Sequence, residues 1–263
     1  MEPLIKAVIH AVREVAQGEI MPRYLRVAQQ RKADGSLYTA ADIAAQEALA
    51  LRLREIHPSP VLAEEMSHEQ QAEQWLAGDS GLWCVDPIDG TSNFVNGLPY
   101  FAVSVALMNK GRSVLGVIYD PVADEMFYAE KGGGAYLNGE KLPINESAKE
   151  LRQCMASVDF KRISAHLAQQ LAGSPPYSSQ RNYGASTLEW CYVAAGRFDV
   201  YLHGGQRLWD YAAGSLILEE AGGMMCSLKT DDFLADDLWK RSVIAARNPA
   251  LFNAWKAWLR ARQ

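Results

Sequence analysis

Basic clusters, paired cysteines and long apolar runs are all missing from this chain, and each absence closes off a class of function. With 26 Lys and Arg against 31 Asp and Glu the net charge is −5. Nucleic acid or an anionic membrane therefore meets no general attraction, and no local basic patch makes up for it. The four cysteines, Cys84, Cys154, Cys191 and Cys226, are scattered without C-x-x-C spacing. That argues against a zinc site and fits reduced, buried thiols in a cytosolic protein. The stretch MEPLIKAVIHAVREVA is interrupted by Lys6, His10, Arg13 and Glu14 before a secretory core forms, and no run is apolar for long enough to span a bilayer. A cytoplasmic location is the resulting expectation. No internal repeat, low-complexity tract or long linker is found, and the alternating oxygen ligands of an EF-hand loop are absent.

What is there is an ordinary globular composition: 263 residues, 49% hydrophobic and 22% charged, enough for one large domain or two lobes. Leu4, Ile5, Val8, Ile9, Val12 and Val15 recur at helical spacing and predict an amphipathic helix from residue 3 to the mid-20s. After a polar turn, RKADGS, Thr39 stands three residues before Asp42, the spacing of a capped helix start, ahead of IAAQEALALRLREI. PVLAEEM and GLWCVD read as short strands that end on carboxylates, with a helical stretch around SHEQQAEQWLAG between them. FAVSVALM, SVLGVIYDP and EMFYAEKGGGAYLNGEKL follow as antiparallel strands with Gly-rich turns. From about residue 150 come a strand (MASVDF), a helix (SAHLAQQLAG), a Pro/Ser turn (SPPYSS), a helix (STLEWCYVAAG), a strand (FDVYLHG) and a long helix (WDYAAGSLILEEAGG). The predicted class is α+β, with an N-terminal lobe over 1–147 and a C-terminal lobe over 148–263 sharing a cleft within one structural unit.

Acidic residues stand at the ends of these elements: Asp42, Glu64 with Glu65, Asp86 with Asp89, and Asp210. Each has an ordinary explanation. Asp42 and Asp210 suit helix starts, Glu64 and Glu65 suit solvent, and DPIDG suits a turn whose aspartates bond to nearby amides. The alternative is that they converge. Carboxylates gathered in one place repel each other and lose hydration, so a cation normally holds them there in the ionised form. Oxygen ligands without His or Cys select a hard cation, and one that keeps water and shares phosphate oxygens is typically Mg2+. Gly90 and Thr91 would then offer main-chain amides to a phosphate, with the Thr91 hydroxyl orienting a water. Spacing alone leaves both readings open.

DPIDGTSNF at 86–94, AEE at 63–65 and WDYAAGSLILEEAGG at 209–223 resemble the three signature segments of the inositol monophosphatase family, magnesium-dependent and lithium-sensitive phosphomonoesterases. KADGSLYTAAD at 32–42 is similar to the family's lysine, aspartate, then Thr-x-x-Asp pattern. The resemblance implies a layered αβαβα sandwich with the active site between two lobes, and usually a homodimer. It assigns Glu64, Asp86 and the Ile88 carbonyl to a first Mg2+ and Asp86, Asp89 and Asp210 to a second, with Glu64 also supporting a third, weaker ion. It gives Gly90 and Thr91 the substrate phosphate, and Asp42 with Thr91 the attacking water.

The family's members that prefer inositol phosphates usually carry an acid seven residues before the aspartate of the third segment, where it bonds to ring hydroxyls. Here that position is His203, which can still bond hydroxyls but weakens inositol specificity. Ser186 and Arg207 are further candidates near the leaving group, and Tyr38 replaces a small aliphatic residue often found before the Thr. DPIDGTSNF is closer to inositol and histidinol phosphatases, whereas TAADIAAQ resembles the nucleotide phosphatases. The expected substrate is therefore a small phosphorylated polyol or sugar such as inositol 1-phosphate, with histidinol phosphate or a nucleotide 3'-phosphate as alternatives. Some bacterial relatives are partners of RNA polymerase and transcript-processing complexes, so a role as a protein-binding partner of the transcription machinery is the competing reading.

Overall fold

The computed structural model describes residues 3–26, 30–31, 37–142 and 149–263. Most of the predicted RKADGS turn and the lobe boundary placed at 147/148 lie outside them. Helix α1 (Pro3–Val15) buries Ile5, Val8, Val12 and Val15 on one face, as its spacing predicts. The helical path continues to Arg23, but as a π turn over Ala16–Ile20 and a 3-10 turn over Met21–Arg23. Pro22 has no N–H to return to Gly18, so the α-helical register cannot carry through. Strands β1 (Gln30–Arg31) and β2 (Leu37–Tyr38) form a short antiparallel ribbon. Helix α2 (Ala40–Ile56) starts at the predicted cap: the Ala41 N–H donates to Thr39 Oγ1 (3.1 Å) and the Thr39 N–H donates to Asp42 Oδ2 (2.7 Å).

Next come β3 (Val61–Ala63), α3 (His68–Ala77), β4 (Leu82–Asp89), α4 (Thr91–Asn96), β5 (Ala102–Asn109), β6 (Arg112–Asp120), β7 (Glu125–Glu130), β8 (Gly134–Leu137) and β9 (Glu140–Lys141). Strands β3 to β9 pair in chain order as a seven-stranded sheet, parallel between β3 and β4 and antiparallel from there on. The remaining elements are β10 (Met155–Asp159), α5 (Ala165–Gly173), β11 (Ser179–Arg181), α6 (Ser186–Ala194), β12 (Val200–Gln206), α7 (Leu208–Glu220), β13 (Met224–Cys226), β14 (Arg241–Ala246) and α8 (Pro249–Arg260). Their strands form a five-stranded sheet in the order β11-β10-β12-β14-β13.

Period-two alternation sorts side chains between layers. Along β4 and β5, Trp83, Val85, Val103 and Val105 point into a core shared with α1 and α2. Their neighbours Leu82, Cys84, Ala102 and Ala106 point into a core shared with α6 and α7. In the second sheet Tyr201, Val243 and Ala245 join that same central core, while Val200, Leu202 and Ile244 face Leu167 of α5 and Trp255 of α8. The result is the layered αβαβα sandwich, with α6 and α7 as the middle layer. Both faces of the central strands are covered, which is why β4, β5 and most of β6 read as nearly unbroken apolar runs. Close approach demands glycine where α7 crosses the first sheet: a Cβ on Gly116 would lie 2.9 Å from the Ala213 carbonyl oxygen.

Candidate active site

The site lies where β4 ends and α7 begins. Pro87 cannot donate to the sheet, and the pairing of β4 with β5 shifts register between Asp86 and Asp89. Asp86 lies opposite Ser104 of β5. The Ile88 N–H turns back to Asp86 Oδ1 (3.1 Å), an Asx-type closure that sets the Asp86 carboxylate across the break. Gly90 then takes φ +88°, and a Cβ there would meet the Ala185 Cβ and the Tyr100 carbonyl oxygen at 3.1 Å. No other residue type fits that turn without strain. On the other side of the site the Arg207 N–H donates to Asp210 Oδ2 (2.8 Å), capping α7, and Ser104 Oγ reaches the Trp209 carbonyl at 3.5 Å. The start of α7 is thereby tied to the strand that flanks β4.

Asp86, Asp89 and Asp210 each offer an oxygen to one group spanning no more than 4.8 Å. The electrostatics show how tightly acids gather there. Burial, and then the charges of Glu64, Asp89, Asp210 and Asp42, push the Asp86 carboxyl well above the usual carboxylate range. Burial followed by Asp89 and Glu64 raises Asp210 in the same direction. Asp89 rises to about 6 through burial, against the hydrogen bonds from Thr187 that favour its charged form. The alternatives left open by spacing thus both hold for Asp42 and Asp210: each caps its helix, and each faces other acids. Such an all-oxygen, mutually repelling set fits a hard divalent cation, which would remove the cost of holding the carboxylates ionised.

Asp42 is 1% exposed, and burial raises its carboxyl to about 6 despite the Thr39 hydrogen bonds that favour its charge. Thr91 Oγ1 sits between two acceptors, the Ile88 carbonyl at 3.0 Å and Asp42 Oδ1 at 3.4 Å. Glu64 follows β3, its N–H bonded to the Val85 carbonyl at 3.2 Å, so it leaves its strand beside β4. Ser186 Oγ lies 3.5 Å from Asp89 Oδ2. Hydrogen bonds and charge interactions link these residues into one neighbourhood around Asp86 and Asp89.

His203 is placed differently. It is 4% exposed, its Nδ1 accepts the Gly205 N–H at 3.1 Å, and its Nε2 lies 3.2 Å from Asp159 Oδ2. Burial holds the ring below the ordinary histidine range, so near neutral pH it is a neutral Nε2–H donor engaged with Asp159. Both ring nitrogens are therefore already committed within the protein. Arg207 is exposed, and Tyr38 is half-buried in β2. Three residues that sequence reasoning passed over stand close to the site. Thr187 donates to Asp89 from both its N–H (2.6 Å) and its Oγ1 (2.7 Å). Asn93 Nδ2 bridges the carbonyls of Tyr100 and Tyr183, each at 2.7 Å. Glu189 is buried in α6, with a carboxyl that burial raises to about 7. Asn93 lies within the DPIDGTSNF segment, whereas Thr187, whose partner Asp89 is 98 residues away in the chain, and Glu189, buried in α6, carry no motif signal.

A layered αβαβα sandwich with an oxygen-ligand cluster at a strand end has the architecture of the inositol monophosphatase and sugar phosphatase fold. The model of the inositol monophosphatase family matches residues 1–260, and the chain belongs to that family. Among curated relatives it is 35% identical over 235 residues to Nus factor SuhB of Pasteurella multocida, covering 86% of this chain and 85% of the relative. Among solved structures, Thermotoga maritima IMPase superposes with a TM-score of 0.82 at 30% identity, covering 96% of this chain and 94% of that one. The staphylococcal inositol monophosphatase-1, solved as a LiCl-soaked inhibitory complex, gives a TM-score of 0.83 at 25% identity over 97% and 95% of the two chains. The family and these structural neighbours are phosphatases, which places the chain among hydrolases in broad terms. No helix among the described residues is long and apolar enough to cross a membrane.

Proposed function

We propose that this chain is a Mg2+-dependent phosphomonoesterase that hydrolyses a small phosphorylated polyol or sugar, of the type of inositol 1-phosphate, with water as the nucleophile. The observation that carries the reading is the convergence of Asp86, Asp89 and Asp210 within 4.8 Å, with Glu64 and Asp42 in electrostatic reach. Glu64, Asp86 and the Ile88 carbonyl would hold one ion and Asp86, Asp89 and Asp210 a second, with Glu64 serving a third, weaker one. When bound, the ions acidify a water and offset charge on the leaving oxygen.

The remaining work falls to the chain's own groups. Thr91 Oγ1 orients the attacking water, and Asp42 Oδ1, 3.4 Å from that hydroxyl, takes the proton. A carboxyl raised to about 6 suits this task, since it is ionised at neutral pH yet more basic than a free aspartate. Gly90 and Thr91 contribute main-chain amides to the phosphate, and the αL turn at Gly90 aims them. Ser186 and Asp210 lie on the leaving-group side. Because both nitrogens of His203 are occupied, its contribution to specificity is to shape that side with Asp159 rather than to contact the substrate freely. A histidinol phosphate or nucleotide 3'-phosphate is the alternative substrate. Lithium inhibition, a homodimer and a cytoplasmic site of action complete the proposal.

The relatives named Nus factor SuhB favour a second reading, in which the chain is also a protein partner of the transcription machinery. The two are compatible and separable. Asp89→Asn or Asp210→Asn abolishes Mg2+-dependent phosphate release with the fold intact if the first reading holds; near-normal turnover in either variant would sink it. Recovery of transcription components from lysate by such an inactive variant supports the second reading, and fast hydrolysis with a clean pull-down disposes of it.

A further inference from the structure

Asp89 carries an asymmetry that the proposed reaction does not explain. Its Oδ2 accepts two hydrogen bonds from a single residue, the Thr187 N–H at 2.6 Å and the Thr187 Oγ1–H at 2.7 Å, with Ser186 Oγ at 3.5 Å beside them. A carboxylate offers roughly four lone-pair sites over its two oxygens, so these donors fill Oδ2 and leave Oδ1 as the free oxygen. Thr187 is fully buried near the start of α6, so its hydroxyl has no competing water.

The segment that delivers Thr187 is itself clamped. Asn93, in the helix that follows Asp89, grips the Tyr183 carbonyl at 2.7 Å, and Glu189 Oε1 accepts the Tyr183 N–H at 3.2 Å. Gly184 turns the chain with φ +83° directly afterwards. Residues 183 to 187 are thus pinned from α4 on one side and from α6 on the other, which holds the donor pair on Asp89 in register.

We infer that Thr187 is a positioning residue that restricts Asp89 to one free oxygen and thereby favours a small octahedral cation over a larger one. The inference rests on the metal role of Asp89 proposed above. Mg2+ demands short, near-octahedral bonds and is served by monodentate carboxylates, whereas Ca2+ takes more oxygens in looser geometry and readily accepts a bidentate clasp. With Oδ2 held away, Asp89 cannot offer that clasp. Outer-sphere donors of this kind typically change metal affinity ten- to a hundredfold when removed.

Calorimetric titration of the EDTA-stripped protein with Mg2+ and with Ca2+ tests this without any turnover. Thr187→Val and Thr187→Ala remove the hydroxyl, Thr187→Ser keeps it, and circular dichroism confirms which variants are folded. The expected result is ~tenfold weaker Mg2+ binding and a smaller Mg2+/Ca2+ preference in the Val and Ala variants, with Ser close to the parent protein. Unchanged affinity and unchanged preference in a folded Val or Ala variant would overturn the inference while leaving the metal reading intact. A parent protein that shows no saturable Mg2+ binding would overturn both.

Discussion

Replacing Asp42 by Asn separates what this residue does for catalysis from what it costs the fold. The side chain is 1% exposed, and burial, partly offset by the Thr39 hydrogen bonds and reinforced by Glu64, lifts its carboxyl from 3.8 to about 6. That rise corresponds to ~3 kcal/mol of destabilisation of the ionised native state. The sign follows from linkage: the unfolded chain ionises this group near its ordinary value, the folded one only near 6, so the cost is absent below pH 4 and grows to its full size above pH 6. Asparagine has no charge to desolvate and still offers an oxygen to the Thr39 N–H and hydroxyl. In EDTA, Asp42→Asn should therefore be more stable than the parent by up to ~3 kcal/mol at pH 8, with the gap closing as pH falls to 4. Urea denaturation across that pH range reads the gap directly. With Mg2+ present the same variant should lose at least ~100-fold in hydrolysis, the usual contribution of a positioned base. A variant no more stable than the parent at pH 8, or a gap that does not change with pH, would show that the buried Asp42 charge carries no such cost.

Several neighbouring sites lend themselves to equally direct measurements. The acid limb of the kcat/KM profile should fall at or below about pH 6 as Asp42 takes up its proton, and should vanish in Asp42→Asn. Adding Mg2+ should raise the thermal midpoint at pH 8, where the carboxylates are costly to hold ionised, and this rise should shrink in Asp89→Asn as measured by scanning calorimetry. Gly204→Ala should cost ~3 kcal/mol in urea denaturation, because its Cβ would overlap the Arg162 carbonyl group, which is backbone and cannot swing aside.

Much of this molecule was legible because several physical signals agreed along the chain. The cap at Thr39, the apolar strands 102–109 and 112–120 and the apolar helix at 208–220 each combine a run of buried residues with a proper start or stop. Strand β11 was not legible, since Ser179, Gln180 and Arg181 have no apolar alternation; it pairs through its backbone with β10. The candidate site was legible only as a set: each carboxylate taken alone has an ordinary explanation, and it was their recurrence at the ends of elements, together with the motif segments, that pointed to convergence. Its supporting residues were not legible. Thr187 meets Asp89 across 98 residues of chain and Asn93 meets Tyr183 across 90, and nothing local marks either pair. His203 shows the same limit from the other direction: its position suggested contact with substrate, but Asp159, which takes its Nε2, is brought there from a distant part of the chain by the pairing of β10 with β12.

Phosphate release from purified protein, with Mg2+ and with EDTA, across inositol 1-phosphate, histidinol phosphate, fructose 1,6-bisphosphate and adenosine 3',5'-bisphosphate decides whether the acidic cluster serves hydrolysis. The expected result is release that requires Mg2+ and is dominated by one small ester, with a polyol or sugar phosphate first. No release from any of the four, or release that persists undiminished in EDTA, would contradict it.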